Sequence, residues 1–299
     1  MAVARYNMVE RQRRRILVPF LLPAFALFGT LVLYPVITTG YIALTEWNGV
    51  GPARYVGAAN FIRAIHDPLL RSAISNTAVF VVVGGLVLFP LAFLLAYGTQ
   101  RLKHGNTYRF LILVPIALSV TTAGLLWKFL LNPNFGLVSG TLRALGLDRL
   151  AQFEWLGETS TAMFVVIAAT IWHGVGVWML FVAAALEGVP PELREAAALD
   201  GASQPQIVRY VVLPLIWPVL RMLILLWVVQ ASQAFGFIVA ITNGGPLGAT
   251  EVIGTYLYKV GFGDYDFGYS SAIAVSLTIV VLGLALVWQR LSRSQGEEM

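Results

Sequence analysis

The sequence predicts an all-α membrane protein that crosses the bilayer six times. Two observations lead to this fold class. The 299-residue chain is 58% hydrophobic and only 12% charged, whereas soluble domains average about 25% charged residues. It also holds six charge-free runs that approach or exceed the roughly 18–20 residues needed to cross a hydrocarbon core. The runs are Ile16–Thr45, Ser72–Gln100, Phe110–Trp127, Thr159–Leu186, Met222–Thr250 and Phe267–Gln289.

Residues 1–15 form a basic tail, residues 16–291 a transmembrane domain, and residues 292–299 a second tail. The first charge-free run has 30 residues, longer than the roughly 7–15 apolar residues of a signal peptide, so we expect a retained span. The fifth span is expected to start before its charge-free run, near Pro214, with Arg221 reaching back to the surface. The predicted spans are about 16–45, 72–100, 109–131, 160–186, 213–241 and 267–290, with a polar loop at 187–213.

The distribution of basic residues predicts the orientation of the chain. If the N-terminus is cytoplasmic, 13 Lys and Arg residues fall on that side and seven on the other. The positive-inside rule therefore places both termini and the loop 187–213 in the cytoplasm. The net charge is +5. The basic residues lie beside apolar runs, and this arrangement favours a role in membrane orientation over nucleic-acid binding.

The loop 187–213 has the local chemistry of a helix, a break and a second helix. Pro190 and Pro191 suit a helix start, and Gly201 is placed to end that helix because glycine tolerates a left-handed backbone. Ser203 begins the second helix, with Gln206 three residues later as the partner in a capping box. The loop is therefore expected to be a compact bent element at the membrane surface.

This loop resembles a known signature. Glu195, Ala196 and Ala197, then Asp200 and Gly201, and after 11 further residues Leu213 and Pro214, match the EAA motif of ATP-binding-cassette (ABC) importer permeases. The longer pattern EAAALDGA … LPLIWP resembles the carbohydrate branch of that family. The resemblance implies that these seven residues couple the chain to a cytoplasmic ATPase.

Several external segments extend the resemblance over nearly the whole chain. They are LTEWNG (Leu44–Gly49), LNPNFG (Leu131–Gly136), TNGGP (Thr242–Pro246) and DFGYSSA (Asp266–Ala272). Each alone could be turn chemistry with interfacial aromatic residues. The larger maltose-type subunits have extra N-terminal spans and a periplasmic insertion, and this chain resembles the six-span form.

The resemblance implies the type I importer-permease fold in a bacterial inner membrane and translocation of a sugar by alternating access. The implied partners are a second permease, two cytoplasmic ATPase subunits and an extracytoplasmic solute-binding protein. ATP and magnesium would be bound by the ATPase and no cofactor by this chain. A permease for another polar solute, such as glycerol 3-phosphate, is the alternative. A phosphate would favour a fixed cation in the passage, and the charge-free runs hold none.

The sequence lacks the motifs of catalysis. It has no phosphate-binding loop of the G-x-x-x-x-G-K-[ST] type, not even a Gly-Lys pair, and no G-x-S-x-G elbow. The three histidines, His66, His104 and His173, are scattered without metal-ligand spacing, and cysteine is absent. We therefore expect no catalytic residue, no metal site and no ATP hydrolysis by this chain itself.

Two other functional classes stay open. An ion-coupled secondary transporter usually needs an ionisable residue within the membrane. The charge-free runs offer only His173, which disfavours proton or sodium coupling, although backbone carbonyls could bind sodium. A purely structural or signalling membrane subunit is disfavoured only by the EAA motif.

Polar residues within the spans indicate a candidate substrate passage. In the fifth span Trp227, Gln230, Gln233 and Phe237 recur at a spacing close to one helix face. Glutamine amides and aromatic rings suit a sugar, whose hydroxyls form hydrogen bonds and whose C–H face stacks on a ring. In the fourth span Trp172 and His173 are further candidates. Hydrogen bonding between neighbouring helices is the alternative role for such residues.

Overall fold

The computed structural model describes residues 20–294, with side chains up to Arg290. Five helices among these residues are long and apolar enough to cross a membrane, and a bent pair can supply a sixth span. The predicted six-span helical class is therefore confirmed. The predicted tail 1–15 and residues 295–299 of the second tail lie outside the described residues.

The described residues form mainly helices, with two short strands near the start of the chain. The elements are α1 (Phe20–Ile42), β1 (Thr45–Glu46), β2 (Arg54–Tyr55), α2 (Ala59–His66), α3 (Pro68–Gln100), α4 (Gly105–Leu113), α5 (Val120–Leu130), α6 (Leu137–Ala144), α7 (Asp148–Ala151), α8 (Ala162–Glu187), α9 (Pro191–Leu199), α10 (Gln204–Ser232), α11 (Gly236–Ile241), α12 (Ile253–Tyr258) and α13 (Phe267–Ser294).

One compact unit comprises the described residues up to His66 together with Lys259–Ser276. Its short antiparallel hairpin, β1 with β2, is held by the buried Asn60, whose amide donates to the carbonyls of Ala43 (3.0 Å) and Thr45 (2.8 Å). A Cβ on Gly268 would lie 2.1 Å from the Thr45 carbonyl oxygen, so only glycine fits there. The segments LTEWNG and DFGYSSA thus pack against each other in this unit.

The second unit, Asp67–Tyr258 with the described residues from Leu277 onward, contains the main hydrophobic core. Helices α3 and α8 pack along their length through small buried residues such as Ala92, Ala96 and Ala183. Gly176 of α8 lies so close to α4 that a Cβ there would be 2.7 Å from the Ile112 carbonyl oxygen. Glycine and alanine therefore permit the close helix approach that membrane proteins use in place of bulky packing.

The third predicted span, 109–131, is broken. Helix α4 and the 3₁₀ turn Val114–Ala117 are bent by 95° relative to α5. Pro115 has no N–H to continue a helix, Leu118 is extended (ψ 143°), and Ser119 caps α5 by accepting from the Thr122 N–H at 3.2 Å. A charge-free run reports apolarity and contains no information about such breaks.

The fifth predicted span, 213–241, differs at both ends. Arg221, expected to reach back to the surface, is instead buried within the helix. Helix α10 begins at Gln204, inside the predicted loop, and ends at Ser232. Gln233 leaves the helical region (φ −105°, ψ 20°) and α11 starts anew at Gly236. Span two likewise starts earlier than predicted, at Pro68, because Asp67 caps α3 by accepting from the N–H groups of Leu69 and Leu70.

Candidate functional site

Helix α9 begins as its sequence predicts. Pro190 is the N-cap residue, with an extended ψ of 128°, and Pro191 is the first helical residue. Proline suits this position because the first N–H groups of a helix have no intrahelical partner. Glu192 lies in the first turn, where a carboxylate is stabilised by the positive end of the helix dipole.

The end of α9 is a Schellman turn centred on Gly201. The Ala202 N–H donates to the Ala197 carbonyl (3.0 Å) and the Gly201 N–H to the Ala198 carbonyl (3.1 Å). Gly201 has φ +84°, a left-handed conformation in which a side chain is strained. The predicted helix stop is therefore confirmed, and the turn satisfies carbonyls that the helix end would leave free.

The next helix starts at the predicted capping box. The Ser203 N–H donates to Gln206 Oε1 at 2.7 Å. A wide π turn, Val208–Val212, follows, and the Leu213 N–H bonds to the Val208 carbonyl. Pro214 comes directly after this turn and cannot donate a backbone hydrogen bond. Leu213 packs against the core, whereas Pro214 is exposed.

Two side chains of this helix–turn–helix, Arg194 and Gln204, attach it to the rest of the second unit. Arg194 of α9 donates to the Leu186 carbonyl at the end of α8 (2.7 Å). Gln204, at the start of α10, accepts from the Tyr97 hydroxyl (3.2 Å) and from the Arg101 guanidinium at the end of α3. Since guanidinium hydrogen bonds are stronger than neutral ones, the element is held at both of its helices.

The ends of α3, α4 and α8 are also bonded to one another. Arg109 of α4 forms an ion pair with Glu187 (3.0 Å) and donates to Thr99 (3.3 Å). The Gln100 amide donates to the Ala183 carbonyl (3.3 Å). No signal in the sequence linked Arg101 to Gln204 or Arg109 to Glu187, because the members of each pair are far apart along the chain.

Most of the other residues predicted to couple the chain to an ATPase lie on the outer surface of the element. Glu195, Ala196, Asp200 and Gly201 are exposed, and Ala197 is half-buried against the core. Leu199 is 89% exposed, and nearby Tyr210 is exposed beside a hollow lined by Ala197, Asp200 and Gly201. The sequence prediction omitted Leu199. Its signal was a bulky apolar residue between the small residues of the motif and Asp200.

The passage candidate Trp227 lies in the core of the second unit. It is 6% exposed, and its indole N–H donates to the Val81 carbonyl at 2.8 Å. Its ring lies between Phe80 and Trp178, with centroids at 6.1 and 6.0 Å. A Cβ on Gly84 would approach the ring to 2.6 Å, so α3 has room for this indole only with glycine at that position.

The expectation that Trp227, Gln230, Gln233 and Phe237 share one helix face is wrong. The break at Gln233 places Phe237 in α11, a separate helix. Gln230 and Gln233 are exposed and Phe237 is buried. The role of these residues in a passage stays a prediction, and it now concerns two exposed amides at a helix break.

Trp172 and His173 are half-buried in α8. The His173 Nε2 is 3.0 Å from the carbonyl oxygen of Leu118, the residue at the bend between α4 and α5. The imidazole also contacts the Phe237 ring edge to face, with centroids 5.2 Å apart, and Trp172 contacts Trp127 at 6.0 Å. His173 therefore contacts both breaks, the bend between α4 and α5 through Leu118 and the start of α11 through Phe237. Its part in a passage stays a prediction.

No group of three or more His, Cys, Asp or Glu residues within the described chain is arranged to hold a metal ion. The candidate site is the exposed surface formed by α9 and the start of α10.

Comparison with known proteins places this chain in a family. A family model described as "Binding-protein-dependent transport system inner membrane component" matches residues 13–293. The chain is 32% identical over 287 residues to the probable ABC transporter permease protein YurN of Bacillus subtilis, covering 93% of this chain and 96% of that protein.

Two further relatives have names that specify a solute. Identity to the diacetylchitobiose uptake system permease protein NgcF of Streptomyces coelicolor is 32%, over 93% of this chain and 82% of NgcF. Identity to the sn-glycerol-3-phosphate transport system permease protein UgpA of Yersinia enterocolitica is 33%, over 90% of this chain and 92% of UgpA.

Among solved structures, the chain resembles one chain of a bacterial ABC transporter involved in the import of the acidic polysaccharide alginate. The TM-score is 0.84 at 23% identity, covering 97% of this chain and 99% of that one. The inward-facing MetNI methionine ABC transporter gives a TM-score of 0.52 at 20% identity, over 76% of this chain and 95% of that one. The predicted importer-permease fold is confirmed by these similarities.

Proposed function

This chain belongs to the family of inner membrane components of binding-protein-dependent transport systems, and we propose that it is the permease subunit through which an importer takes up a carbohydrate. As an ABC importer permease and a multi-pass membrane protein, it is a transport subunit. Beyond membership of this family, we propose the solute class, the energy source and the orientation of the chain in a bacterial inner membrane.

The observation that supports the energy source is the exposed but firmly attached element formed by α9 and the start of α10. It presents Glu195, Ala196, Leu199 and Asp200 outward while Arg194 and Gln204 fasten it to the spans. A rigid exposed element can transmit a displacement from a partner to the helices that it is bonded to. We assign it the role of docking on a cytoplasmic ATPase subunit.

ATP and magnesium belong to that partner in this proposal, because the sequence has no phosphate-binding loop. The complete importer would contain a second permease, two ATPase subunits and an extracytoplasmic binding protein. Binding of ATP must stabilise the outward-facing state over the inward-facing state, since a ligand shifts a conformational equilibrium only by its differential affinity. The coupling element lies on the cytoplasmic side, with both termini.

Carbohydrate is favoured as the solute by the relative NgcF, whose name specifies diacetylchitobiose, and by the absence of fixed charge in the charge-free runs. Glycerol 3-phosphate is the second candidate because UgpA is similarly close. A phosphate monoester would be expected to use a cation within the passage, and the charge-free runs hold no Lys or Arg.

Uptake into proteoliposomes that contain the assembled importer tests the proposal. We expect uptake of a radiolabelled di- or oligosaccharide to require binding protein outside and ATP inside, and to be unaffected by dissipating proton and sodium gradients. Sugar uptake that follows an ion gradient without ATP would support the secondary-transporter class instead. Uptake of glycerol 3-phosphate alone would keep the importer and change the solute.

A further inference from the structure

A basic cleft opens beside the coupling element, between the ends of α3, α4, α8 and α9. Its volume is about 710 Å³, within the roughly 300–1,000 Å³ typical of small-ligand sites. Five of its lining residues carry basic side chains and one carries a carboxylate. They are Arg101, Lys103, His104, Arg109 and Arg194, with Glu187.

The positive charge of this basic cleft is only partly neutralised. Arg109 is paired with Glu187 at 3.0 Å, and Arg101 bonds to the neutral side chains of Tyr97 and Gln204. Among the described residues Arg101, Lys103 and Arg194 form no ion pair with a carboxylate. The Nε of Arg194 is buried without a hydrogen-bond partner. Such a site favours an anion that can accept several charge-assisted hydrogen bonds.

Helix α4 adds to this preference. Its first residues, Gly105, Asn106 and Thr107, line the cleft, so the positive end of the helix dipole lies there. A Cβ on Gly105 would come within 2.0 Å of the Thr99 carbonyl oxygen, which keeps this turn close to the end of α3.

The surface that continues from the cleft is apolar. Leu102 at its edge is exposed, and α4 runs from the cleft into the exposed side chains Phe110, Leu111, Val114 and Ile116 at its end and in the following turn. A phosphate with attached acyl chains would use both surfaces, whereas a soluble anion would use the basic residues alone.

We propose that the basic cleft binds the phosphate of an anionic phospholipid headgroup, with the acyl chains lying along α4. Basic pockets between transmembrane helices at the cytoplasmic surface are suited to such headgroups. The bound lipid would rest against Arg101 and Arg194, the two residues that also fasten the coupling element. Anionic lipid would thus be a structural component of the junction between the spans and α9.

Lipid retention by the full-length purified chain tests this proposal. Native mass spectrometry in mild detergent would compare dioleoyl phosphatidylglycerol with dioleoyl phosphatidylcholine, and a third arm would use inorganic phosphate. Lys103 is exposed at the cleft, so its substitution should leave folding intact. Lys128, an exposed lysine at the end of α5, is the matched control.

We expect selective retention of phosphatidylglycerol, with affinity falling about fivefold in Lys103→Gln and about 25-fold in Lys103→Glu. Lys128→Gln and Lys128→Glu should change it less than twofold. Gly201→Asp should retain the lipid, which separates this test from that of ATPase docking.

Four results would overturn the proposal. Equal retention of phosphatidylcholine, or unchanged affinity in Lys103→Glu, would show that the cleft does not select an anionic headgroup. Saturable binding of inorganic phosphate without retention of phosphatidylglycerol would assign the cleft to a soluble anion. Displacement of the lipid on addition of the ATPase subunit would assign it to a protein partner.

Discussion

Helices α6 and α9 end in the same backbone turn. At the end of α6 the Leu147 N–H donates to the Leu142 carbonyl and the Gly146 N–H to the Arg143 carbonyl, both at 2.9 Å. Gly146 has φ +75°, against +84° for Gly201, and open space surrounds both positions. An aspartate lies close in sequence to each, Asp148 and Asp200. The local chemistry of the two turns is therefore closely matched.

The two helices differ in how they are attached. The side chains of α6 bond locally, Ser139 to the Asn132 carbonyl (3.0 Å) and Arg143 to the Pro133 carbonyl. The α9 element is instead bonded to the end of α8 and, through Gln204, to the end of α3. A displacement of α6 can be absorbed nearby, whereas a displacement of α9 must move the ends of two spans. If α9 couples the chain to an ATPase, as we propose, its long-range attachment is what distinguishes it from an ordinary surface helix such as α6.

Aspartate at the two turn glycines gives the largest expected contrast. Each substitution places a side chain in a left-handed conformation, at a cost on the order of 1 kcal/mol. In Gly201→Asp the added charge would also have to be desolvated at the ATPase interface. We expect Gly201→Asp to abolish co-purification with the ATPase, or to leave a complex whose ATP hydrolysis is no longer stimulated by substrate.

Gly146→Asp is the matched control. It introduces the same backbone strain at the end of α6, a helix predicted to lie on the extracytoplasmic side of the membrane. We expect it to assemble and to show stimulated hydrolysis within about twofold of wild type, as for ordinary surface substitutions. Equal losses in the two variants would attribute the effect to strain alone. Wild-type coupling in Gly201→Asp would remove α9 as the transmission element.

A smaller effect is expected from the apolar contact at the end of α9. Burial of Leu199 at an interface would contribute about 1.5–3 kcal/mol, so Leu199→Ser should weaken ATPase binding at least about tenfold. Leu145, at the end of α6 and 68% exposed, provides the control Leu145→Ser. Binding of the purified ATPase to each variant in nanodiscs measures the difference. Equal affinities for Leu199→Ser and Leu145→Ser would show that Leu199 stays outside the interface.

The hydrogen bond that attaches Gln204, at the start of α10, to Arg101, at the end of α3, can be tested directly. Arg101→Gln removes a charged hydrogen bond to Gln204, worth about 1.5–3 kcal/mol, but leaves the exposed face of α9 unchanged. We expect normal ATPase binding with substrate-stimulated hydrolysis reduced severalfold. Arg143→Gln in α6 should leave both unchanged. Loss of binding in Arg101→Gln, with coupling preserved in the remaining complex, would contradict a transmitting role for this bond.

The contrast between these turns and the spans shows what the sequence could predict. The helix start at Pro191, the stop at Gly201 and the capping box at Ser203 were predictable because each depends on residues within one or two turns. The bonds from Arg101 to Gln204 and from Arg109 to Glu187 were not, because they depend on how separate helices pack. Helix formation is local, but attachment is a property of the folded chain.

The predicted bounds of the third and fifth spans differ from the structure for another reason. Counting charge-free residues located the apolar segments but could not show that α5 starts anew at Val120, after the N-cap Ser119, or that α10 stops at Ser232. Pro115 was a visible signal for the first break. The second break, at Gln233, has no proline in the preceding turn. A Cβ on Gly254 would lie 2.7 Å from the Ala234 carbonyl oxygen, so α12 packs directly on the broken backbone.

The break at Ser232 leads to the smallest expected effect. Gln230 and Gln233 are exposed, and the Gln233 amide reaches the Val229 carbonyl only at 3.4 Å, so both amides are available to a passing solute. If they line the passage, Gln233→Leu and Gln230→Leu should each raise the KM for uptake about fivefold, the cost of one neutral hydrogen bond, while ATPase assembly is preserved. Trp227→Phe is the contrasting variant, since it removes the indole bond to the Val81 carbonyl. It should lower the yield of folded protein and leave KM unchanged in the protein that does fold. Unchanged uptake kinetics in both glutamine variants would assign these amides to the helix break itself, with no role in solute passage.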